Sequence, residues 1–341
     1  VRIGLTYNLK PAGAAGDQFE EFDSIETIEA LESAIRAAGH EPIRLGWGLE
    51  MLEALGREHV DGVFNIAEGV GGRGRESQVP AVLEMLAIPC TGSDALAIAL
   101  TLDKALAKVV AKSAGIATAP WSVIDSRVPS LTSTDKSVCA TSILPSVAQT
   151  LLSVPAQGAV PDIAIPFPVF AKPAAEGSSM GITDRSLCRD DAEMNAAIER
   201  LSKYGRVLIE EFLPGDEFTV GIIAGEVIGV MQVVPRGDAK DFIYSLDVKR
   251  DYLNRVDYRV VDAPDVAEVA LEVWRAFGLR DVARIDVRRD RNGVANFVEA
   301  NPLPGVHPIT SDLVVLAGLA GISYTDLIGR IVDTATKRWA A

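Results

Sequence analysis

The sequence predicts an α/β protein whose N-terminal domain is built on a parallel sheet, and three observations carry that expectation. Up to about residue 100, short apolar runs alternate with stretches of helical period. Strands joined through helices pair in parallel, with both faces of the sheet covered. The last part also alternates strands with helices, and two strand-like runs there flank Asn292-Gly293, a favoured hairpin turn. The 341 residues are 48 % hydrophobic and 23 % charged, enough apolar material for a substantial core and the balance of an ordinary soluble enzyme.

Taken in order, Arg2 to Tyr7 reads as a short buried strand. Asp23 opens a helix, with Glu26 three residues on as a capping-box partner. Ile25, Ile28, Leu31, Ile35 and Ala38 recur at helical spacing until Gly39 ends the run. Pro42 to Leu45 is a strand, Leu49 to Arg57 a helix and Val60 to Ile66 a strand, which fills a first domain at about residues 1–100. A second domain, 101–212, begins with a helix over Asp103 to Ala114, stopped by Gly115. Residues 126–166 are rich in Ser, Thr, Pro and Ala, with little charge and no period. They read as a long surface insertion dispensable for catalysis, with a lobe of small helices as the competing reading. Strands over Val169 to Lys172 and Arg206 to Phe212 complete that domain. The third, 213–341, carries strands Phe218 to Ala224 and Val227 to Val233 and helices Asp265 to Phe277 and Tyr324 to Lys337.

The formal net charge of -14 argues against general nucleic-acid affinity, which rests on neutralising phosphates. Cys90, Cys139 and Cys188 are odd in number and lack zinc-type pairing, so reduced thiols in a cytoplasm are expected. The N-terminus has no basic segment leading into a long apolar run, unlike a signal peptide. The longest apolar stretch, Leu313 to Ile322, is too short to span a bilayer, so no membrane partner is expected.

The most informative segment runs from Arg284 to Pro304. A two-residue turn at Asn292-Gly293 sets Asp286 opposite Glu299 and Arg284 opposite Asn301. Side chains two apart share one face of a strand, so all four belong to one face. Two directly opposed carboxylates repel, and a hard divalent cation compensates them; Mg²⁺ binds through a few carboxylates plus substrate phosphates. The competing reading is a solvated face neutralised by Arg284, Arg288 and Arg289. A second segment, Lys172 to Gly181, ends a strand in a Gly/Ser loop whose backbone N–H groups suit phosphate oxygens, with Lys172 adding a point charge. Alone it reads better as a plain turn, and it lacks the Walker A pattern. A third, Glu210 to Glu217, runs a strand through Pro214-Gly215 into another strand. It could present backbone groups to an adenine edge and a carboxylate to a ribose, and alone it is only an acidic turn.

These three segments occur together and in one order, and with them the chain resembles the ATP-grasp superfamily, within it the D-alanine–D-alanine ligase family. VFNIAEG with QVPAVLEMLAIPCTGSDALAIALTLDK resembles the first-domain signature, AKPAAEGSSMGI the phosphate loop, EEFLPGDEFTVG the adenine and ribose hinge, and RIDV with FVEANPLPG the metal-binding hairpin. The resemblance implies an ATP-grasp fold preceded by a Rossmann-like, pre-ATP-grasp parallel-sheet domain. It implies that Lys104 and Lys172 bind ATP phosphates and that Glu176, Gly177, Ser178, Ser179 and Gly181 close over them. Glu210 and Glu211, with the backbone of Phe212 and Leu213, would read adenine, and Glu217 would hold ribose. Lys249 would reach the γ-phosphate. Asp286, Glu299 and Asn301 would ligate two Mg²⁺ ions, with Mn²⁺ as a substitute. Arg284 and the Gly305 backbone would steady an oxyanion and a substrate carboxylate. The activity implied is ATP-dependent joining of a carboxylate to an amine through an acyl phosphate, on small-molecule substrates of amino-acid type; a homodimer is compatible with it.

The departures concentrate at the substrate end. The Gly-Gly-x-Ser-x-Glu element of the true D-alanine–D-alanine ligases is replaced by Thr6-Tyr7-Asn8-Leu9-Lys10. A tyrosine after the loop lysine is Arg250, and the His-Gly and Gly-Glu-Asp-Gly stretch becomes Glu68-Gly69 and Gly72-Arg73-Gly74-Arg75. The serine after Gly305 is displaced, with Thr310 and Ser311 as alternatives. Glu68, Arg73, Arg75 and Ser311 are therefore the candidate pocket residues; the three charges suit a polar or zwitterionic ligand larger than alanine, with a solvated, weakly paired set as the competing reading. A D-alanine–D-alanine ligase of cell-wall synthesis and a nucleotide-binding protein without ligase activity are the alternatives. A phosphotransferase that works through a phosphohistidine has only His40, His59 and His307 to draw on.

Overall fold

The structure, a computed structural model, describes residues 1–11, 13, 19, 21–125, 165–237 and 241–340. Cys139 and the expected insertion at 126–166, except for its last two residues, lie outside the described residues. The chain divides into two compact units. The larger holds residues 1–119, 175–180 and 213–341; the smaller holds 120–174 and 181–212.

The larger unit opens with β1 (Arg2–Thr6), α1 (Ile25–Ala37), β2 (Glu41–Gly46), α2 (Leu49–Arg57) and β3 (Gly62–Asn65). The strands form a parallel sheet in the order β2-β1-β3, as strand–helix alternation requires. Helix α1 starts one residue later than the sequence suggests. The backbone of Asp23 is already engaged, donating to Asn8 O and accepting from Lys10 N. Ser24 takes the cap instead, its hydroxyl accepting from Thr27 N at 3.4 Å.

Three helices follow, α3 (Gln78–Met85), α4 (Ala95–Leu102) and α5 (Lys104–Ser113). The sequence places a domain boundary near residue 100, but the larger unit continues to Ala119. Packing explains this. Ala97, Ala107, Ala111 and Ile116 are buried in one cluster with Phe218, Val220, Ile285 and Phe297, which belong to the later antiparallel sheet, so α4 and α5 share the core of the third sequence segment.

The smaller unit contains β4 (Trp121–Asp125), β5 (Val169–Pro173), β6 (Leu187–Cys188), α6 (Asp191–Leu201) and β7 (Arg206–Glu211). Its antiparallel sheet runs β4-β7-β5-β6, with Ala197 and Leu201 of α6 packed on Val169, Ala171, Val207 and Ile209.

The larger unit resumes with β8 (Glu217–Ile223), β9 (Glu226–Pro235), α7 (Leu246–Arg250), α8 (Tyr252–Arg255), β10 (Val256–Val260), α9 (Pro264–Ala276), β11 (Val282–Arg289), β12 (Ala295–Asn301), α10 (Asp312–Leu319) and α11 (Tyr324–Trp339). Its five-stranded antiparallel sheet is ordered β10-β9-β8-β11-β12. Helix α9 buries Val266, Ala270 and Val273 against it. Helix α11 returns to the N-terminal sheet: Leu327, Ile328, Ile331 and Val332 pack with Ile3, Leu5, Ile28, Leu31 and Ile35. A Cβ on Gly62 would lie 2.3 Å from the Trp339 ring, so β3 needs glycine where the C-terminal helix crosses it. No single described helix is long and apolar enough to cross a membrane.

Candidate active site

The hairpin of β11 and β12 sets Asp286 opposite Glu299 and Arg284 opposite Asn301, but not through a two-residue turn. Asp290 N donates to Val294 O and Gly293 N to Asp290 O, so three residues bridge the strands. That slips the register by one at the turn, where Val287 faces Phe297 and Arg289 faces Ala295. A bulge between the Val287 and Asp286 pairs, with Val298 as the extra residue, restores it. The bulge also explains why Phe297 and Ala300, three apart, both reach the core, while Glu299 and Asn301 take the opposite face.

On that face Arg284 is the hub. Its guanidinium lies 3.0 Å from Asp286, 3.6 Å from Glu299 and 3.3 Å from Asp312. Burial opposes its charge, but the three carboxylates outweigh burial and hold it firmly protonated. Thr219 of β8 donates its hydroxyl to Asp286 at 2.9 Å. Burial pushes the Asp286 carboxyl up to about 6; Arg284 lowers it and Glu299 raises it again. The Asn301 amide is 3.5 Å from both carboxylates. Among the described residues no three His, Cys, Asp or Glu side chains converge as a ready metal cage. Two opposed carboxylates and an amide oxygen instead supply hard oxygen donors and leave most of a coordination shell to other ligands, which fits Mg²⁺ beside a phosphate.

Lys104 begins α5, where Asp103 is the N-cap and accepts from Leu106 N at 3.2 Å. Its ammonium lies 3.3 Å from Glu299 and donates to the Glu176 carbonyl at 2.6 Å. Gly177 N donates to Glu21 at 3.1 Å, and Ser178 and Ser179 both adopt positive φ, 48° and 57°. Ser179 donates to Tyr244 O at 3.4 Å. The start of the expected phosphate loop is therefore held in a tight, tied-down turn within the larger unit. Glu217, the expected ribose ligand, is paired with Arg288 at 3.0 Å. Within the smaller unit, Lys172 and Glu210 meet at 2.6 Å, both side chains buried. Arg200 donates to Gly181 O at 2.7 Å. Glu211 N donates to Pro120 O and Phe212 N to Pro168 O, so the Phe212 N–H expected to read adenine is engaged with its own unit. Leu213 is buried and begins the next stretch of the larger unit.

A cavity of about 480 Å³ opens in the larger unit, within the usual size of small-molecule sites. Arg284, Lys249, Asn301 and Gly305 line it, and so do Glu68 and Ser311. Lys249, on α7, lies 3.8 Å from Asp312 and 4.9 Å over the Tyr244 ring. A Cβ on Gly305 would come within 2.9 Å of the Ser311 hydroxyl, which accepts from His307 N at 2.9 Å. Ser311 thus fixes the turn before α10, and Thr310 is bound to His307 Nδ1 at 3.1 Å.

The two arginines expected in the pocket do not line it. Arg73 is mostly exposed and reaches the buried Asp103 at 2.7 Å. Arg75 is buried, pairs with Glu21 at 2.9 Å and donates to the Ala175 carbonyl at 2.9 Å. Each guanidinium is engaged with a buried or half-buried carboxylate, Asp103 or Glu21, instead of the cavity. Sequence reasoning missed Glu21, Asp23, Glu76, Tyr244 and Asp312, all on the cavity wall. Asp312 offered one signal, its place directly after Ser311 in the first turn of α10. It receives Arg284, Lys249 and, at 3.2 Å, the Tyr244 hydroxyl, itself bonded to Tyr258.

Residues 159–333 match the family model described as D-ala D-ala ligase C-terminus. The chain is 29 % identical over 308 residues to a D-alanine–D-alanine ligase of Citrifermentans bemidjiense, covering 88 % of this chain and 87 % of the relative. It is 30 % identical over 305 residues to that of Aquifex aeolicus, covering 88 % and 91 %. Among solved structures, the Bacillus anthracis D-alanine–D-alanine ligase complexed with ATP superposes with a TM-score of 0.70 at 19 % identity, covering 99 % of this chain and 98 % of that one. The VanG D-Ala:D-Ser ligase of Enterococcus faecalis does so at 0.67 and 19 %, covering 98 % and 99 %; at such identity the likeness is one of fold.

Proposed function

We propose, on the premise that this chain belongs to the D-alanine–D-alanine ligase family of ATP-dependent, carbon–nitrogen bond-forming enzymes, that it joins two amino-acid-type substrates and that D-alanine is not the preferred one. The observation that carries the site reading is the shared face of Asp286, Glu299, Asn301 and Arg284, with Lys104 tied to both Glu299 and the start of the loop.

In this reading Asp286, Glu299 and Asn301 hold two Mg²⁺ ions, which when bound neutralise charge on the transferring phosphoryl group. Lys104, Lys172 and the Glu176–Gly181 loop bind the ATP phosphates, Glu210 through Leu213 take adenine, and Glu217 takes ribose. The substrate carboxylate oxygen attacks the γ-phosphorus and the bond to the bridging oxygen of ADP breaks, with Lys249 beside the transferred group. The amine nitrogen then attacks the acyl carbon. Arg284 and the Gly305 N–H stabilise the oxyanion, the carbon–oxygen bond to phosphate breaks, and the amine loses a proton. An ATP-consuming reaction with Cys90 and Cys188 as free thiols fits a reducing cytoplasm.

The test is ADP release from the purified protein with pairwise pools of amino acids and small carboxylates, at saturating ATP and Mg²⁺. Turnover is expected with at least one pair, and efficient D-alanyl-D-alanine synthesis is not. Glu299→Gln and Asn301→Ala should each lower turnover at least 100-fold with the circular dichroism spectrum unchanged. Normal turnover of both variants at limiting Mg²⁺ would remove these residues from the metal site.

A further inference from the structure

The acids around the cavity fall into two groups. Glu21 is taken by Arg75, and Asp312 by Arg284, Lys249 and Tyr244. The carboxylates of Glu68, Glu76 and Asp23 also line the cavity. Among the described residues no hydrogen bond or ion pair reaches any of the three. The one guanidinium beside them, Arg75, is spent on Glu21 and on the Ala175 carbonyl. Their environment shows the missing charge. Burial raises the Glu68 carboxyl well above the ordinary range, and Glu76, Glu21 and Asp23 raise it further. Burial carries Glu76 up to about 7 against the pull of Arg75, and burial alone carries Asp23 to about 7. Arg75 lowers both glutamates and Lys104 lowers Glu76, but burial outweighs them; a ligand ammonium would add the direct partner that these carboxylates lack. The same cavity is lined by Lys249, Arg250 and Arg284, which suit a carboxylate.

We infer that one of the two substrates is a diamino carboxylic acid, whose second ammonium group is held by Glu68 and Glu76 while its carboxylate faces Lys249 and Arg284. This rests on the ligase reading above. It replaces the sequence-based expectation of a pocket with arginines on its rim, because Arg73 and Arg75 are turned to protein partners and the wall there carries Glu68, Glu76 and Asp23, with Lys10 beside them. The neutral competitor for the site is an amino acid of the same length, which would leave two or three carboxyls buried without a partner.

The experiment compares lysine with norleucine and ornithine with norvaline, each as both enantiomers, by ADP release from the full chain against one common amine pool. Each pair matches in carbon chain and differs in one ammonium group. The diamino acid of at least one pair should show at least tenfold higher kcat/KM than its neutral partner. Glu68→Gln and Glu76→Gln should each raise KM for that substrate at least fivefold and leave KM for ATP unchanged. Turnover with neutral partners equal to or better than the diamino acids would overturn the inference and leave the ligase reading standing. No ADP release with any amino acid would remove the ligase reading and the inference with it. The comparison on the unmodified chain needs no variant to fold. Calorimetric titration of lysine against norleucine reads the same preference without turnover, and equal affinities would count against it.

Discussion

Asp23 shows how a single side chain can serve a cavity at the expense of the fold. Its backbone closes a bridge to the segment after β1, and its side chain lines the cavity. Burial lifts that carboxyl to about 7. A carboxyl whose folded pKa exceeds its unfolded value keeps a proton that the unfolded chain gives up. Stability therefore falls as pH rises from the unfolded value near 4 to the folded value near 7, and the loss is complete above that. Asp23→Asn should remove it. In the ligand-free protein the substitution should raise stability by about 1–3 kcal/mol at pH 7.5, an allowance that discounts for the open cavity, and by much less at pH 4.5. Urea melts of parent and variant at the two pH values check this, and a gain independent of pH would show that Asp23 is solvated. The residue-level features legible in the sequence were those fixed by spacing, such as Asp286 opposite Glu299. Asp23 was read only as a helix cap, because nothing local reveals that a backbone bridge has already claimed its turn.

The β11–β12 hairpin was legible in its outcome and not in its route. Alternation along Arg284-Ile285-Asp286 and Glu299-Ala300-Asn301 put the four polar side chains on one face, and the structure pairs them so. The three-residue connection and the Val298 bulge are two one-residue slips that cancel. The turn dipeptide alone could not reveal them, although the spacing of the apolar Phe297 and Ala300 breaks the period of two at that point. Other elements depend on partners far away in sequence. Gly62 in β3 is glycine because the Trp339 ring of α11 occupies the space of a side chain. Gly62→Val should cost about 1–3 kcal/mol by overpacking, and Trp339→Ala a similar amount through lost burial, since the ring is only partly buried. Combined, the two should cost less than the sum, with a coupling of about 0.5–2 kcal/mol, because the void left by one receives the other. Additive losses in chemical denaturation would mean that β3 and α11 do not lock together there.

At the scale of the whole chain, the two compact units do not follow the three segments expected from the sequence. The boundary near residue 100 followed a change in local pattern. The core is set instead by which apolar faces find each other, and α4 and α5 join residues 213–341 through Ala97, Ala107, Ala111 and Phe297. Arg73 and Arg75 failed for the same reason: a charge's partner, Asp103 or Glu21, is chosen in three dimensions. Where neighbouring strands fix them, residues keep the pairing expected from the sequence, as Asp286 opposite Glu299 does. Their linkage to stability gives a test that needs no substrate. The opposed carboxylates Asp286 and Glu299 disfavour each other in the folded chain, so ATP with Mg²⁺ should bind the native state and leave the unfolded chain alone. At 100 times its Kd a ligand of that kind adds about 2.7 kcal/mol, which for a chain of this size corresponds to a rise in Tm of several degrees. The rise should need both components: ATP with EDTA, or Mg²⁺ alone, should give less than a third of it. Glu299→Gln should shrink the joint effect to the level of ATP with EDTA, each rise being read against the variant's own melting point without ligands. A full rise in the presence of EDTA, or an undiminished rise in the variant, would place nucleotide binding away from this face.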